Sequence, residues 1–204
     1  MLARASVVKD SRSTRAGTVD GLFIKRYNRR GFFHTLKRLF QTPRPYRCKK
    51  TAEHLAAAGI PTPEVLFANR EFLVTEALDV RFGNQQIPPV GLLAATLRTI
   101  HSAGVYHGDA SMRNFYFTGT GGILGVIDLD GAKIYRKIPP KAVSKDIARA
   151  ISSYMIVSDL RSRQDLVPEL TADFLAAYCG NSNDGILHDY IHKRINYLLQ
   201  RIRK

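Results

Sequence analysis

The chain has 204 residues, 45% hydrophobic and 24% charged, a balance that excludes general disorder and is long enough to bury a real core. The charge is lopsided: residues 1–50 hold 14 Lys and Arg against only Asp10 and Asp20, while the whole chain is +14. A one-sided basic segment implies an anionic partner, whether phospholipid headgroups, an acidic glycan or nucleic acid, or else a solvated surface.

In chain order, residues 5–8 and 21–25 read as short strands, with Asp20-Gly21 as the turn between hairpin arms. The β-rich Leu22-Phe23-Ile24 ends at Lys25. Residues 31–40 read as a helix with Phe32, Phe33, Leu36, Leu39 and Phe40 on one face, flanked by Arg29, Arg30, Lys37 and Arg38. Such a helix can lie in a membrane interface or pack on the domain with its basic face in water. Pro43 and Pro45 break it. A second helix over 46–58 stops at Gly59, Pro61 and Pro63. Strands follow at 65–67 and 71–75. The polar, proline-bearing stretch 81–89 is the expected boundary within a single domain of 1–204, with an N-lobe of about 1–80 and a C-lobe of about 81–204. Beyond it helices are expected at 90–103, capped by Gly104, and at 143–157, 170–178 and 186–202. Short strands at 115–117 and 123–127 flank the glycine-rich turn 119–122. There is no internal repeat. Strands first and helices later predict an α+β fold with a small β-rich N-lobe and a compact helical C-lobe.

No apolar run approaches the roughly 18 residues of a membrane span. Residues 1–15 show no stretch of signal-peptide type. Cys48 and Cys179 follow no metal-ligand or redox spacing and read as free thiols of a reducing compartment. The expectation is a cytoplasmic protein able to touch a membrane surface.

The chemistry resides in His107-Gly108-Asp109-Ala110-Ser111-Met112-Arg113-Asn114 and in Ile127-Asp128-Leu129-Asp130. Phosphoryl transfer needs one carboxylate to accept the proton of the attacking hydroxyl. It also needs an amide oxygen and a second carboxylate to hold magnesium against nucleotide phosphates. Asp109 is the expected catalytic base, and Asn114 and Asp128 the expected magnesium ligands. Protein kinases write the same set as H-R-D-x-x-x-x-N and D-F-G. Gly108 stands here in place of the arginine, which suggests a small-molecule kinase or one not switched through its activation loop.

Lys25, at the end of an apolar strand, is expected to contact the phosphates of ATP. Its candidate partner is Glu53, the only acidic residue of 46–58. Residues 9–19 contain only Gly17, so backbone amides with Ser11, Ser13 and Thr14 must replace a glycine-rich phosphate loop. Residues 72–77 would offer the backbone edge that holds adenine, with Glu76 and Leu78 nearest. Asp146 either braces the catalytic loop through its N–H groups or caps a helix. His188 and His192 stand four apart, but without a third ligand they read as a surface helix.

The chain resembles the lipopolysaccharide core kinases of Gram-negative bacteria, which phosphorylate Kdo and heptose and have a protein-kinase-like fold. The resemblance is carried by Lys25-Arg26-Tyr27-Asn28, Gly59-Ile60-Pro61-Thr62-Pro63, His107-Gly108-Asp109 with Asn114, and Ile127-Asp128-Leu129-Asp130, over roughly residues 7–160. It implies ATP- and Mg2+-dependent phosphorylation of an inner-core sugar hydroxyl at the cytoplasmic face of the inner membrane. It places Lys25, Asp109, Asn114 and Asp128 in the roles above. It gives the basic N-terminal part an anionic glycolipid and an anionic membrane as partners, in preference to nucleic acid. Two other readings stand beside it. One is a small atypical protein kinase or ATPase of the tRNA-modification-associated type, with the basic tail Arg201-Ile202-Arg203-Lys204. The other is a pseudokinase binding module.

Overall fold

Strand pairing organises the N-terminal half. The computed structural model describes residues 6–11, 13–28, 42–78, 87–118, 123–158, 164–179, 190–191, 193–195 and 197. The basic segment 29–40, most of the expected boundary at 81–89, the turn 119–122, His188, His192 and the basic tail lie outside them. Five antiparallel strands, β1 (Ser6–Asp10), β2 (Thr14–Val19), β3 (Leu22–Tyr27), β4 (Val65–Ala68) and β5 (Phe72–Glu76), form one sheet in the order β1-β2-β3-β5-β4. The Asp20-Gly21 turn, with φ of 48° and 73°, joins β2 to β3 rather than to β1. The two left-handed residues suit the right-handed twist of the hairpin. Sequence reading missed β2 because Thr14–Val19 carries Gly17 and three polar residues in an irregular alternation. Its burial comes from its place between two strands.

Helix α1 (Arg44–Ala57) begins with a proline in its first turn. It buries Cys48, Thr51, Ala52 and Leu55, a stripe of one helical face. Past Gly59 the chain closes the helix with an Ile60 N–H bond to the Leu55 carbonyl (2.9 Å). Ile60 is fully buried, and the Pro61 carbonyl accepts the N–H of Val126 (2.9 Å), which ties this linker to the second half.

The second half contains α2 (Val90–Ser102), β6 (Val105–Tyr106), β7 (Phe115–Phe117), β8 (Leu124–Val126), β9 (Lys133–Ile134), α3 (Pro140–Val157) and α4 (Val167–Cys179). Residues 190–191, 193–195 and 197 are helical too. β6 pairs with β9 and β7 with β8, both antiparallel. The two-residue pair β6–β9 was not expected, since two residues carry no readable alternation. Leu93, Leu97 and Ile100 of α2 are fully buried, each worth about 1.5–3 kcal/mol relative to exposure. One continuous apolar core runs from Tyr27, Leu55 and Leu73 through Leu97 and Val126 to Ile151 and Phe174. The mixed α+β architecture is the expected one.

Gly125 pairs with Tyr116 across β7–β8, and a Cβ there would lie 2.1 Å from the ring. Tyr116 therefore lies across the glycine. Gly125→Ala should destabilise the protein by about 1–3 kcal/mol through overpacking. In urea melts, Gly125→Ala combined with Tyr116→Ala should lose clearly less than the sum of the single losses; simple additivity would contradict the contact.

Candidate active site

The loop of residues 107–114 leaves β6 and runs beneath α3. Gly108 has φ +84°, and a Cβ on it would meet the Gly131 carbonyl oxygen at 2.6 Å. Any side chain there would meet both the left-handed backbone and this close approach. The arginine of protein kinases is absent here because the backbone has no space for it.

Three residues of α3 hold the loop. The buried Asp146 carboxylate accepts the His107 N–H on Oδ2 (2.7 Å) and the Gly108 N–H on Oδ1 (2.9 Å). Arg149 donates from Nε to Asp109 Oδ1 (2.7 Å), and the Ser153 hydroxyl accepts the Met112 N–H (2.8 Å). Positions 146, 149 and 153 fall on one helical face. Asp146 thus braces the loop rather than capping its helix, which begins at Pro140. His101 Nε2 adds a contact to Asp146 Oδ2 (3.2 Å), and its Nδ1 meets the Tyr178 hydroxyl (2.6 Å). Neither His101 nor Arg149 was expected; spacing from Asp146 along α3 was the available signal for Arg149.

His107 is fully buried between two backbone partners. Its Nδ1 accepts the Asp109 N–H (3.3 Å), so its Nε2 carries the proton donated to the Ile127 carbonyl (3.2 Å). This neutral tautomer links the Asp109 loop to the residue before Asp128. Burial holds the His107 pKa below its ordinary value, against the raising influence of Asp146, Asp109 and Asp128. A second link is made by Asn114. Its side-chain amide donates to the Asp109 carbonyl (2.8 Å), and its own carbonyl accepts the Ile127 N–H (2.9 Å).

Lys25, Glu76, Asn114 and Asp128 line one cavity of about 730 Å³, a size suited to a small cofactor. Asp109 stands outside that lining, joined to it through Asn114. Lys25 sits within β3, not at its end, and its Nζ contacts Asp128 Oδ1 (2.7 Å) and Asp130 Oδ2 (2.8 Å). Burial pulls the Lys25 pKa down, but Asp130 and Asp128 outweigh it and raise the value. Burial likewise pushes Asp130 up, and Lys25 reverses that to a lowered value. Asp130 also accepts from the Tyr27 hydroxyl and from Cys48 Sγ (3.3 Å). Burial drives the Cys48 thiol up to about 12, so it is a protonated donor. Neither Cys48, which is buried, nor Cys179 forms a disulfide among the described residues.

The expected Lys25–Glu53 pair does not form. Glu53 is exposed and meets Lys49 at 3.8 Å, one turn earlier on α1. The face of α1 toward the site carries Cys48, and Asp130 supplies the carboxylate that Lys25 needs. Asp130 stands two residues after Asp128, so its proximity to the same lysine was legible but unused.

The expected replacement for a phosphate loop is not formed by the amides of Ser11 and Thr14. The Ser11 N–H bonds the Thr14 carbonyl (2.9 Å) and the Thr14 N–H bonds the Ser11 carbonyl (3.3 Å), closing the β1–β2 turn on itself. Ala16 and Thr18 of β2, with Val8 of β1, face the cavity instead. On its far side Thr75, Glu76, Ala77 and Leu78 form an edge. The Glu76 carboxylate accepts the Glu64 N–H (3.2 Å).

The donor set suits magnesium. Among the described residues no three His, Cys, Asp or Glu side chains form a metal cluster. Magnesium takes one or two carboxylates and completes its shell from phosphates and water. Asp128 and Asn114 offer hard oxygens. Lys25 against Asp128 and Asp130 leaves a net negative charge that favours a cation. Asp128 adopts the left-handed conformation, φ 58° and ψ 56°, a cost of about 1–3 kcal/mol of the kind concentrated at functional sites.

The family model for lipopolysaccharide kinases (Kdo/WaaP) matches residues 70–178, more than half of the chain. The chain belongs to the lipopolysaccharide kinase (Kdo/WaaP) family. It is a phosphotransferase. Solved structures share its fold. WaaP in complex with acyl carrier protein is 20% identical, with a TM-score of 0.62 over 97% of this chain and 90% of that one. An aminoglycoside-3'-phosphotransferase of type VIII is 17% identical, with a TM-score of 0.54 over 94% and 93%. A Rio2 kinase from Chaetomium thermophilum, in an ADP/Mg2+-phosphoaspartate complex, is 13% identical, with a TM-score of 0.50 over 96% and 70%. No curated protein matches the chain in sequence.

The neutral His107 has a consequence for pH. Its folded pKa lies below the ordinary 6.5, so its contribution is complete above 6.5 and is lost as pH falls toward the folded value. Urea midpoints should therefore decline on acidification from about 6.5, and the decline should be shallower in His107→Gln. Equal slopes in the two proteins would contradict the neutral linkage.

Proposed function

We propose that the protein transfers the γ-phosphoryl group of ATP, with magnesium, to a hydroxyl of a lipopolysaccharide inner-core sugar. The observation that supports this best is the double tie through Asn114: its side chain holds the Asp109 carbonyl and its backbone holds Ile127, next to Asp128. Asn114 and Asp128 line one cavity, and Asn114 joins Asp109 to them.

In this reading Lys25 binds the phosphates, and Asn114 and Asp128 hold magnesium. The edge around Glu76 and Leu78 receives adenine. ATP supplies the phosphoryl group and leaves as ADP, with magnesium offsetting the charge on the phosphates. Asp109 presents Oδ2, which has no hydrogen bond among the described residues, to the sugar hydroxyl and takes its proton. Arg149 keeps Oδ1 engaged and fixes the carboxylate orientation. The protein acts as one domain with an N-lobe to about residue 80 and a C-lobe from about 81. No helix among the described residues is long and apolar enough to cross a membrane. We place the enzyme at the cytoplasmic face of the inner membrane, whose anionic lipids suit a chain of net charge +14. No observation favours the tRNA-modification kinase or the pseudokinase reading.

Asp109→Asn should lower phosphate transfer from ATP to isolated core oligosaccharide about 10²–10⁴-fold while leaving the melting curve in place. Near-wild-type transfer would remove Asp109 from its role. Saturating Mg2+-ATP at a hundredfold over Kd should stabilise the wild type by roughly 2.7 kcal/mol. Asp128→Ala should abolish that stabilisation, and an unchanged thermal shift would refute the metal assignment.

A further inference from the structure

Arg149 and Asp109 form an ion pair that is half made on both sides. Arginine and a carboxylate commonly meet through two parallel hydrogen bonds. Here only Nε and Oδ1 are engaged (2.7 Å), and the side chains are 38% and 48% exposed. The two terminal amino groups of Arg149 have no partner among the described residues. Asp109 Oδ2 is equally open. A ligand that placed a hydroxyl on Oδ2 and an anionic group on the guanidinium would complete both.

The surroundings favour an anion. Lys141, Lys145 and Arg149 recur every four residues along one face of α3. Lys141 and Lys145 are exposed and carry no ion pair among the described residues. Arg136 and Lys137, just before the helix, are also exposed. This cationic track ends at Asp109. It is separate in sequence from the basic N-terminal segment, and the bracing of the loop by Asp146 and Ser153 does not require it.

We propose that Arg149 reads the acceptor, its terminal amino groups binding a carboxylate or phosphate substituent carried by the sugar beside the hydroxyl that Asp109 activates. The inference rests on the sugar-kinase reading and adds the residue that selects the acceptor. Guanidinium is suited to this because it stays protonated and presents a planar fork that matches both anions.

The test uses the full chain with Mg2+-ATP and matched inner-core acceptors: the natural form, a form with its carboxylates methyl-esterified, and a dephosphorylated form. The wild type should prefer the natural acceptor over one of the neutralised forms by about 10–100-fold in kcat/KM. Sensitivity to esterification identifies a carboxylate, and sensitivity to dephosphorylation identifies a phosphate. Arg149→Gln should erase that preference by raising KM for the natural acceptor, with KM for ATP unchanged. Arg149→Lys should restore part of it, since it returns the charge without the fork. It also serves as the test variant if the glutamine protein does not fold. A purely structural Arg149 would lower kcat on all acceptors alike and keep their ratio; that result, or indifference of the wild type to both neutralisations, overturns the inference. Absence of transfer to any sugar by the wild type would instead defeat the sugar-kinase reading, and the inference with it.

Discussion

The carboxylate of Asp146, buried beneath the loop of residues 107–114, accepts two backbone N–H groups and thereby fixes where Asp109 can stand. Leaving the buried His107 N–H unsatisfied would cost about 1–3 kcal/mol, so the interaction is as much a constraint on loop shape as a source of stability. Arg149 and Ser153 extend the same helical face and hold the loop further along. His101 and Tyr178 hold Asp146 from behind. The helical half is in this sense a rigid support for one carboxylate.

The second carboxylate is set by different means. Asp128 follows β8 in a left-handed conformation and is tied back to the loop through His107 and Asn114. From the N-terminal sheet, Lys25 reaches down to both Asp128 and Asp130. Protein kinases pair this lysine with a helix glutamate. Here Asp130 takes that place, steadied by Tyr27 and Cys48. The lysine is thus held by a residue of the Ile127–Asp130 segment itself, and α1 contributes a thiol rather than a charge. Such an arrangement does not depend on swinging a helix into position, which suits a small enzyme with a short connection from Asp130 to α3.

Much of this was legible. The His107–Asn114 and Ile127–Asp130 segments carry enough chemistry in a fixed order to announce the fold and the class of reaction, and most helices showed their apolar stripes and stops. What escaped had physical causes. β2 is stabilised by two neighbours rather than by its own pattern. Glu53 was the only acid available on its helix, but helix phase, invisible without the packing, turns it to solvent. The half-made pair of Arg149 and Asp109 joins residues forty apart, and no local rule brings them together. Gly108 was legible as a departure from arginine, but its reason, the approach of Gly131, belongs to tertiary structure alone.

The account stands or falls on where the phosphate goes. Mass spectrometry of core oligosaccharide from cells with and without the protein addresses this directly. The account predicts that one phosphate disappears from an inner-core sugar in its absence, and returns when the intact protein is supplied but not with an inactive Asp109 variant. Identical phosphorylation of the core in both cells would contradict it.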